Sequence, residues 1–230
     1  MLEYGICCKQ TLTPPAQIDL HTAARYLGAA GAEACAGPLL ERCAPAVLAS
    51  AAPRMVWCAL PAALHPELQQ GRDIAAHLAG CDTLVLLAVT LGVQTDTAVR
   101  RAAVGDVAAG AAADALASAL AEQAAAQAEA AVRAEMQRRG LYLTGRFSPG
   151  YGDYPLSVQP RFAQLLDLAR SLGVTVTPEC LLLPRKSITA LLGAADHPVS
   201  GKRAGCAGCV LRGRCSYRKR GITCEDDGTV

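Results

Sequence analysis

Aromatic side chains are scarce: one Trp, two Phe and six Tyr make up 4% of the 230 residues. A core so poor in rings has to be built from small aliphatic side chains, and the abundance of Ala and Leu places most of them on helices. An excess of one charge is missing as well. The 22 Lys and Arg nearly balance 20 Asp and Glu, leaving +2, which removes the electrostatic case for nucleic-acid binding, since that needs a concentrated basic face. Long uninterrupted apolar runs are absent. The longest tract, Val107 to Val132, is broken by Asp114, Glu122, Gln123, Gln127 and Glu129, so no bilayer-spanning helix is expected and no membrane partner is implied. The opening residues Met1-Leu-Glu-Tyr-Gly-Ile-Cys-Cys-Lys9 lack the basic-then-apolar layout of a secretory signal, which points to a cytoplasmic location. His21, His65, His77 and His197 show no metal spacing, and no Gly-x-Ser-x-Gly, Walker or dinucleotide pattern occurs. Hydrolase and nucleoside-triphosphatase readings have no support.

A chain of this length can bury one large domain with a small appendage. Its 11 cysteines are expected to be reduced thiols in a cytoplasmic setting. Cys35, Cys43, Cys58 and Cys81 sit among apolar residues and read as small buried hydrophobes.

Periodicity divides the chain into helices and strands that alternate irregularly, which favours α+β over a doubly wound sheet. A helix is expected from about Asp19 to Gly31, with Leu20, Ala23, Ala24 and Leu27 on one face and either Gly28 or Gly31 to stop it. Arg54 to Leu60, stopped by Pro61, reads as a strand. A helix from Gly71 to Gly80 precedes Thr83 to Val89, whose unbroken apolarity requires cover on both faces. Thr90-Leu-Gly92 turns into a helix carrying Asp96, Arg100 and Arg101. Asp106 then caps a long Ala-rich helix that runs to Arg139 and is stopped by Gly140. Leu141 to Thr144 is a short strand. Pro160 opens a helix whose stripe of Phe162, Leu165, Leu166, Ala169 and Leu172 ends at Gly173. Val174 to Thr177 and Cys180 to Leu183 are extended. From His197 the composition turns abruptly to Gly, Lys, Arg and Cys, so the chain divides into residues 1–197 and a Cys-rich tail, 198–230.

Two stretches carry candidate chemistry. Arg146-Phe-Ser-Pro-Gly-Tyr-Gly-Asp-Tyr154 joins a fixed cation to two phenols and a backbone that turns tightly. Taken alone it is an ordinary turn beside a surface arginine. It also suits an anionic, partly aromatic small ligand: a guanidinium forks onto a carboxylate or phosphate, and Pro149, Gly150 and Gly152 let main chain approach closely. The tail offers Cys206, Cys209 and Cys215, with Cys224, or Cys180 from upstream if folded near the trio, as a fourth thiolate. That spacing fits zinc or an iron–sulfur cluster, and a flexible basic tail with free thiols stays open beside it. Asp114 alone reads as a solvated helix carboxylate; Asp96 and Asp106 read as a surface charge and a helix cap.

Arg146 to Pro155, the helix after it, Gly173-Val-Thr-Val-Thr-Pro-Glu-Cys180 and Pro184-Arg-Lys-Ser-Ile-Thr-Ala-Leu-Leu-Gly193 follow one another in an order that resembles the activation domain of cobalamin-dependent methionine synthase, in its stand-alone form. Upstream, Ala88-Val-Thr-Leu-Gly92, Asp96 and the helix from Asp106 to Glu122 are similar to that domain's Thr-x-Gly turn and acidic helix. The resemblance covers about residues 80–197 well and the first 80 loosely. It implies a C-shaped α+β domain with a twisted antiparallel sheet flanked by helices. It also implies binding of S-adenosylmethionine and reactivation of a corrinoid methyltransferase, most directly methionine synthase, as an accessory component in methionine biosynthesis. The partner's cobalt, oxidised from Co(I) to Co(II), is returned to service by one electron from a flavodoxin or ferredoxin-like donor and by the sulfonium methyl group. Carried over by motif, Arg146 pairs with the methionyl carboxylate. Main chain of Ser148, Pro149, Gly150 and Tyr151 holds the adenosyl part, the Tyr151 hydroxyl lies near the ligand, and Asp114 takes the amino group, although the family uses Glu there.

The sequence departs from the family after the Pro184 segment, where Ala194-Ala-Asp-His-Pro198 leads into the tail in place of a tyrosine pair and a further helix. No Asp-x-His-x-x-Gly cobalamin pattern and no homocysteine or folate barrel occurs, so a separate corrinoid protein is the expected partner. Two other readings remain: a metal or iron–sulfur redox module that docks on a corrinoid protein and reduces it, and a docking platform with no ligand of its own.

Overall fold

Strand β3 (Thr83–Thr90) is buried at every position. Successive side chains of a strand point to opposite faces, so a wholly buried strand needs a layer on each side. In this computed structural model, which describes residues 5, 7–29, 33–199, 201 and 213, β3 is the middle of a five-stranded sheet. It lies between β2 (Arg54–Pro61) and β7 (Ser187–Ala195), with β1 (Cys8–Thr11) and β4 (Tyr142–Leu143) at the edges. Every pairing is antiparallel. The sheet curls into a half-barrel flanked by helices, so the expected α+β architecture is the one observed.

The register sorts the apolar side chains into two cores. Met55, Trp57, Val85, Leu87, Val89 and Leu192 face α1 (Leu20–Tyr26), α2 (Glu33–Ser50) and α5 (Val107–Arg138). Val56, Cys58, Leu84, Leu86, Ala88 and Leu191 face α3 (Arg72–His77), α6 (Gln159–Leu165) and α7 (Leu168–Leu172). The long helix begins where Asp106 accepts a hydrogen bond from the Ala108 N–H at 2.9 Å, as its cap role requires. It ends at Gly140, at φ +75°, whose N–H returns to the Gln137 carbonyl. Along it, Ala112, Leu116, Ala119, Leu120, Val132 and Met136 are buried. Small side chains let this helix lie close to the sheet and to α4 (Val93–Gly105): a Cβ on Gly110 would stand 2.5 Å from that of Ala103. The smaller β5 (Thr175–Val176) and β6 (Leu182–Leu183) pair with each other.

The structure departs from the local sequence pattern in several places. The first helix ends at Tyr26, beside the nearer of its two expected stops: Leu27 closes its last turn and Gly28 follows at φ +78°. Residues 33–50 form a helix that local rules disfavour, with Pro38 and Pro45 inside it; burial of Ala36, Leu40 and Val47 against α5 outweighs the lost ladder bonds. The stripe from Phe162 to Leu172 is two helices, divided where Asp167 takes φ +45°. Of the four cysteines expected in the interior, only Cys58 is buried; Cys43 and Cys81 are half-buried, and Cys35 is exposed. Asp96 is more than a surface charge, since one carboxylate oxygen accepts from the Arg185 N–H at 2.7 Å and the other is buried. Among the described residues, no helix is long and apolar enough to cross a membrane.

Candidate functional site

After Gly140 the chain doubles back along α5. Arg133, on that helix, fastens the returning strand by donating to the carbonyls of Leu143 at 2.5 Å and Thr144 at 2.9 Å. Phe147 then bridges Leu191 of β7 through a pair of 2.9 Å backbone hydrogen bonds. Arg146, caught between these two anchors, reaches the long helix. Its Nε donates to Glu129 at 2.9 Å, and the other carboxylate oxygen of Glu129 takes Arg133 at 2.8 Å. Its two terminal nitrogens both approach one oxygen of Glu122, at 3.4 Å each. The guanidinium is therefore gripped at Nε and only loosely held at its fork. Glu122 and Glu129 stand two turns apart on one helix face. The side chains of Arg146 and Glu129 are 21% exposed, that of Glu122 43%.

The following loop turns on its own backbone hydrogen bonds. The Gly150 N–H donates to the Tyr154 carbonyl at 2.8 Å and the Tyr151 N–H to Ser148 at 3.1 Å. Gly150 sits at φ +91°, and a Cβ there would lie 3.1 Å from a Leu156 methyl, so the turn needs glycine on both counts. The Tyr154 hydroxyl is buried and donates to the Leu68 carbonyl at 2.9 Å; burial pushes its phenol pKa well up. Tyr151 stays half-exposed, edge-on to Phe147 with ring centres 5.5 Å apart.

These groups surround a hollow of about 390 Å³, lined by His77, Glu122, Glu129, Gly145, Arg146, Phe147, Ser148 and Tyr151. That volume lies in the range of small-molecule sites, roughly 300–1,000 Å³. Arg146, Ser148 and Tyr151 thus line one cavity, with Pro149 and Gly150 forming the turn beside it. Asp114 does not line it. Its carboxylate pairs with Lys186 at 2.9 Å, and the same ammonium donates to Ser118 at 2.9 Å and to the Asp114 carbonyl at 3.1 Å. The helix carboxylates that face Arg146 are instead Glu122 and Glu129, which in the sequence stand as breaks in an apolar tract, Glu122 also as the end of the stretch similar to an acidic helix. Their spacing, with Arg133 one turn after Glu129, was the available signal.

Cys206, Cys209, Cys215 and Cys224 lie outside the described residues. Among those described, no three His, Cys, Asp or Glu side chains stand close enough to hold a metal ion. Gly201, at the start of the tail, packs against the His77 ring, where a Cβ would come within 2.6 Å of Cε1.

No protein-family model matches the chain, and comparison with curated proteins finds no match. Among solved structures, a crystal structure of the MetH reactivation domain bound to AdoHcy (S-adenosylhomocysteine) superposes with a TM-score of 0.57 at 17% identity, over 96% of this chain and 88% of that one. At that identity the likeness is one of fold.

Proposed function

We propose that this chain binds S-adenosylmethionine and presents it to a corrinoid methyltransferase, methionine synthase being the first candidate client, to restore that enzyme's activity. The observation that carries the reading is the Arg146 hollow in a fold shared with a reactivation domain that holds S-adenosylhomocysteine. An α-amino acid end needs a cation for its carboxylate and an anion for its ammonium. Arg146 offers the first at its loosely held fork. Glu122, displaced from that fork by the incoming carboxylate, offers the second. This pairing replaces Asp114, already engaged by Lys186, as acceptor of the amino group. Because Gly150 and Tyr151 spend their N–H groups inside the loop, the carbonyls of Pro149 and Gly150 are the main-chain groups assigned to the adenosyl part. Tyr151 provides a ring and a hydroxyl at the rim.

The protein's task is positioning, since the sulfonium is already a good leaving group and no general base is required. The corrinoid on the partner supplies the reduced cobalt that accepts the methyl group, and S-adenosylhomocysteine is the product left on this chain. A flavodoxin or ferredoxin-like protein supplies the electron. We assign residues 1–197 to this domain and 198–230 to a separate unit in which Cys206, Cys209, Cys215 and Cys224 bind zinc or an iron–sulfur cluster. The contact of Gly201 with His77 supports a tail that begins beside the hollow. Metal analysis with an anaerobic visible spectrum decides the tail: one zinc and no colour makes it structural, a cluster chromophore makes it a redox unit, and neither removes the assignment. Methyl transfer tests the whole reading. Oxidised methionine synthase given methyl-labelled S-adenosylmethionine, a reductant and this chain should acquire label. Label that stays on the sulfonium with or without the chain refutes the proposal.

A further inference from the structure

Helix α3 touches the Arg146 loop at both of its ends. At its start, the Asp153 carboxylate accepts from the N–H groups of Arg72 at 2.8 Å and Asp73 at 3.0 Å, while the Asp73 carboxylate accepts from the Asp153 N–H at 3.3 Å. The approach is close enough that a Cβ on Gly71 would sit 2.7 Å from an Asp153 oxygen. At its end, His77 Nε2 lies 2.9 Å from the Gly145 carbonyl oxygen. A carbonyl only accepts, so Nε2 carries the proton and donates. The same ring is 1% exposed and packs on Phe147 with centres 5.1 Å apart. Gly145 and Asp153 bracket the ligand-facing residues, and one short helix holds both.

We propose that α3 is a clip that sets the stance of the loop, with His77 as a positioning residue for Arg146. The peptide unit that His77 grips is the one leading into Arg146, so tilting it re-aims the guanidinium. The grip of Glu129 on Nε constrains the far end of that side chain, the Thr144 and Phe147 anchors flank its backbone, and the Gly145 carbonyl between them is oriented by His77 with help from the Thr144 hydroxyl at 3.1 Å. The proposal rests on reading the loop as the S-adenosylmethionine site, and its test separates the two.

His77→Phe keeps a ring against Phe147 and removes the donor; His77→Gln keeps a donor at the same reach; Asp153→Ala releases the other end, at the surface. Hydrogen exchange over residues 145–154 reports the loop directly, and calorimetry with S-adenosylmethionine reports the site. In His77→Phe and Asp153→Ala, exchange at the Gly150 and Tyr151 amides should rise about tenfold, with β3 and β7 unchanged, and affinity in His77→Phe should fall about tenfold, the size of one lost hydrogen bond. His77→Gln should recover both. Loop exchange equal to wild type in Asp153→Ala or His77→Phe overturns the clip, as does a His77→Gln that behaves like His77→Phe, or a rise spread evenly over the sheet. A loosened loop in a protein whose wild type binds no S-adenosylmethionine upholds the clip and removes the ligand assignment instead.

Discussion

Glu122 and Glu129 face the same guanidinium but do different work. Glu129 is fixed on both oxygens, by Arg133 and Arg146, and so fixes where Arg146 begins its reach. Glu122 contacts that fork at 3.4 Å and is more exposed. Glu122→Gln should weaken S-adenosylmethionine binding by about 1.5–3 kcal/mol, the scale of a hydrogen bond to a charged group, while leaving 5′-methylthioadenosine, which lacks the amino-acid end, unaffected in the same calorimetric titration. Equal losses for both ligands would show that Glu122 does not meet the ammonium. Asp153 links the loop to pH. The N–H groups of Asp73 and then Arg72 hold its carboxyl below the usual carboxylate range. A carboxyl depressed in the folded state contributes stability above its unfolded pKa, about 3.9, and loses it as the pH falls through the folded value. Glu67, drawn down to about 2 by His65 first and also by Arg161, acts in the same window. The thermal midpoint should therefore drop as pH falls below about 4, less steeply in Asp153→Asn; an unchanged slope in that variant would contradict the assignment.

At the scale of elements, the glycines at two crossings decide how closely pieces pack. Gly150→Ala puts a Cβ at φ +91°, 3.1 Å from Leu156, and should cost about 1–2 kcal/mol in urea unfolding for the left-handed backbone alone. Gly110→Ala opposes two effects. It gains about 1 kcal/mol of helix propensity, yet its Cβ would lie 2.5 Å from that of Ala103. Overpacking of about 1–3 kcal/mol should win, so the variant should unfold at lower urea than wild type. These elements also divide what the sequence makes legible from what it hides. Asp106, the Ala-rich stretch and Gly140 announce α5, and unbroken apolarity announces β2 and β3, because those signals are local. Helix α2 is hidden because Pro38 and Pro45 speak against it and only packing on α5 overrules them. Strand β1 is hidden because three of its four residues are exposed and no apolar alternation marks it. Asp167 breaks the stripe after Phe162 with a positive φ that an aspartate does not advertise. The loop from Arg146 to Tyr154 was readable as a site, whereas its partners were not: Glu122 and Glu129 become relevant only once the chain doubles back along α5.

Across the whole molecule, a sheet covered on both faces ties the Arg146 loop to each side. Phe147 and Tyr154 enter the core beneath α3 and α6, while Arg146 turns to the long helix on the opposite side. Such a loop is preorganised by the fold, so the proposed S-adenosylmethionine binding would have little backbone to order. If Arg146 receives the carboxylate of S-adenosylmethionine in this hollow, calorimetric titration of wild type and Arg146→Ala will separate the two proteins. Saturable one-site binding is expected in the wild type and a loss of about 2–5 kcal/mol in the variant, the cost of truncating one partner of a hydrogen-bonded charge pair. Absence of binding by the folded wild type, or undiminished affinity in Arg146→Ala, would contradict that role of Arg146.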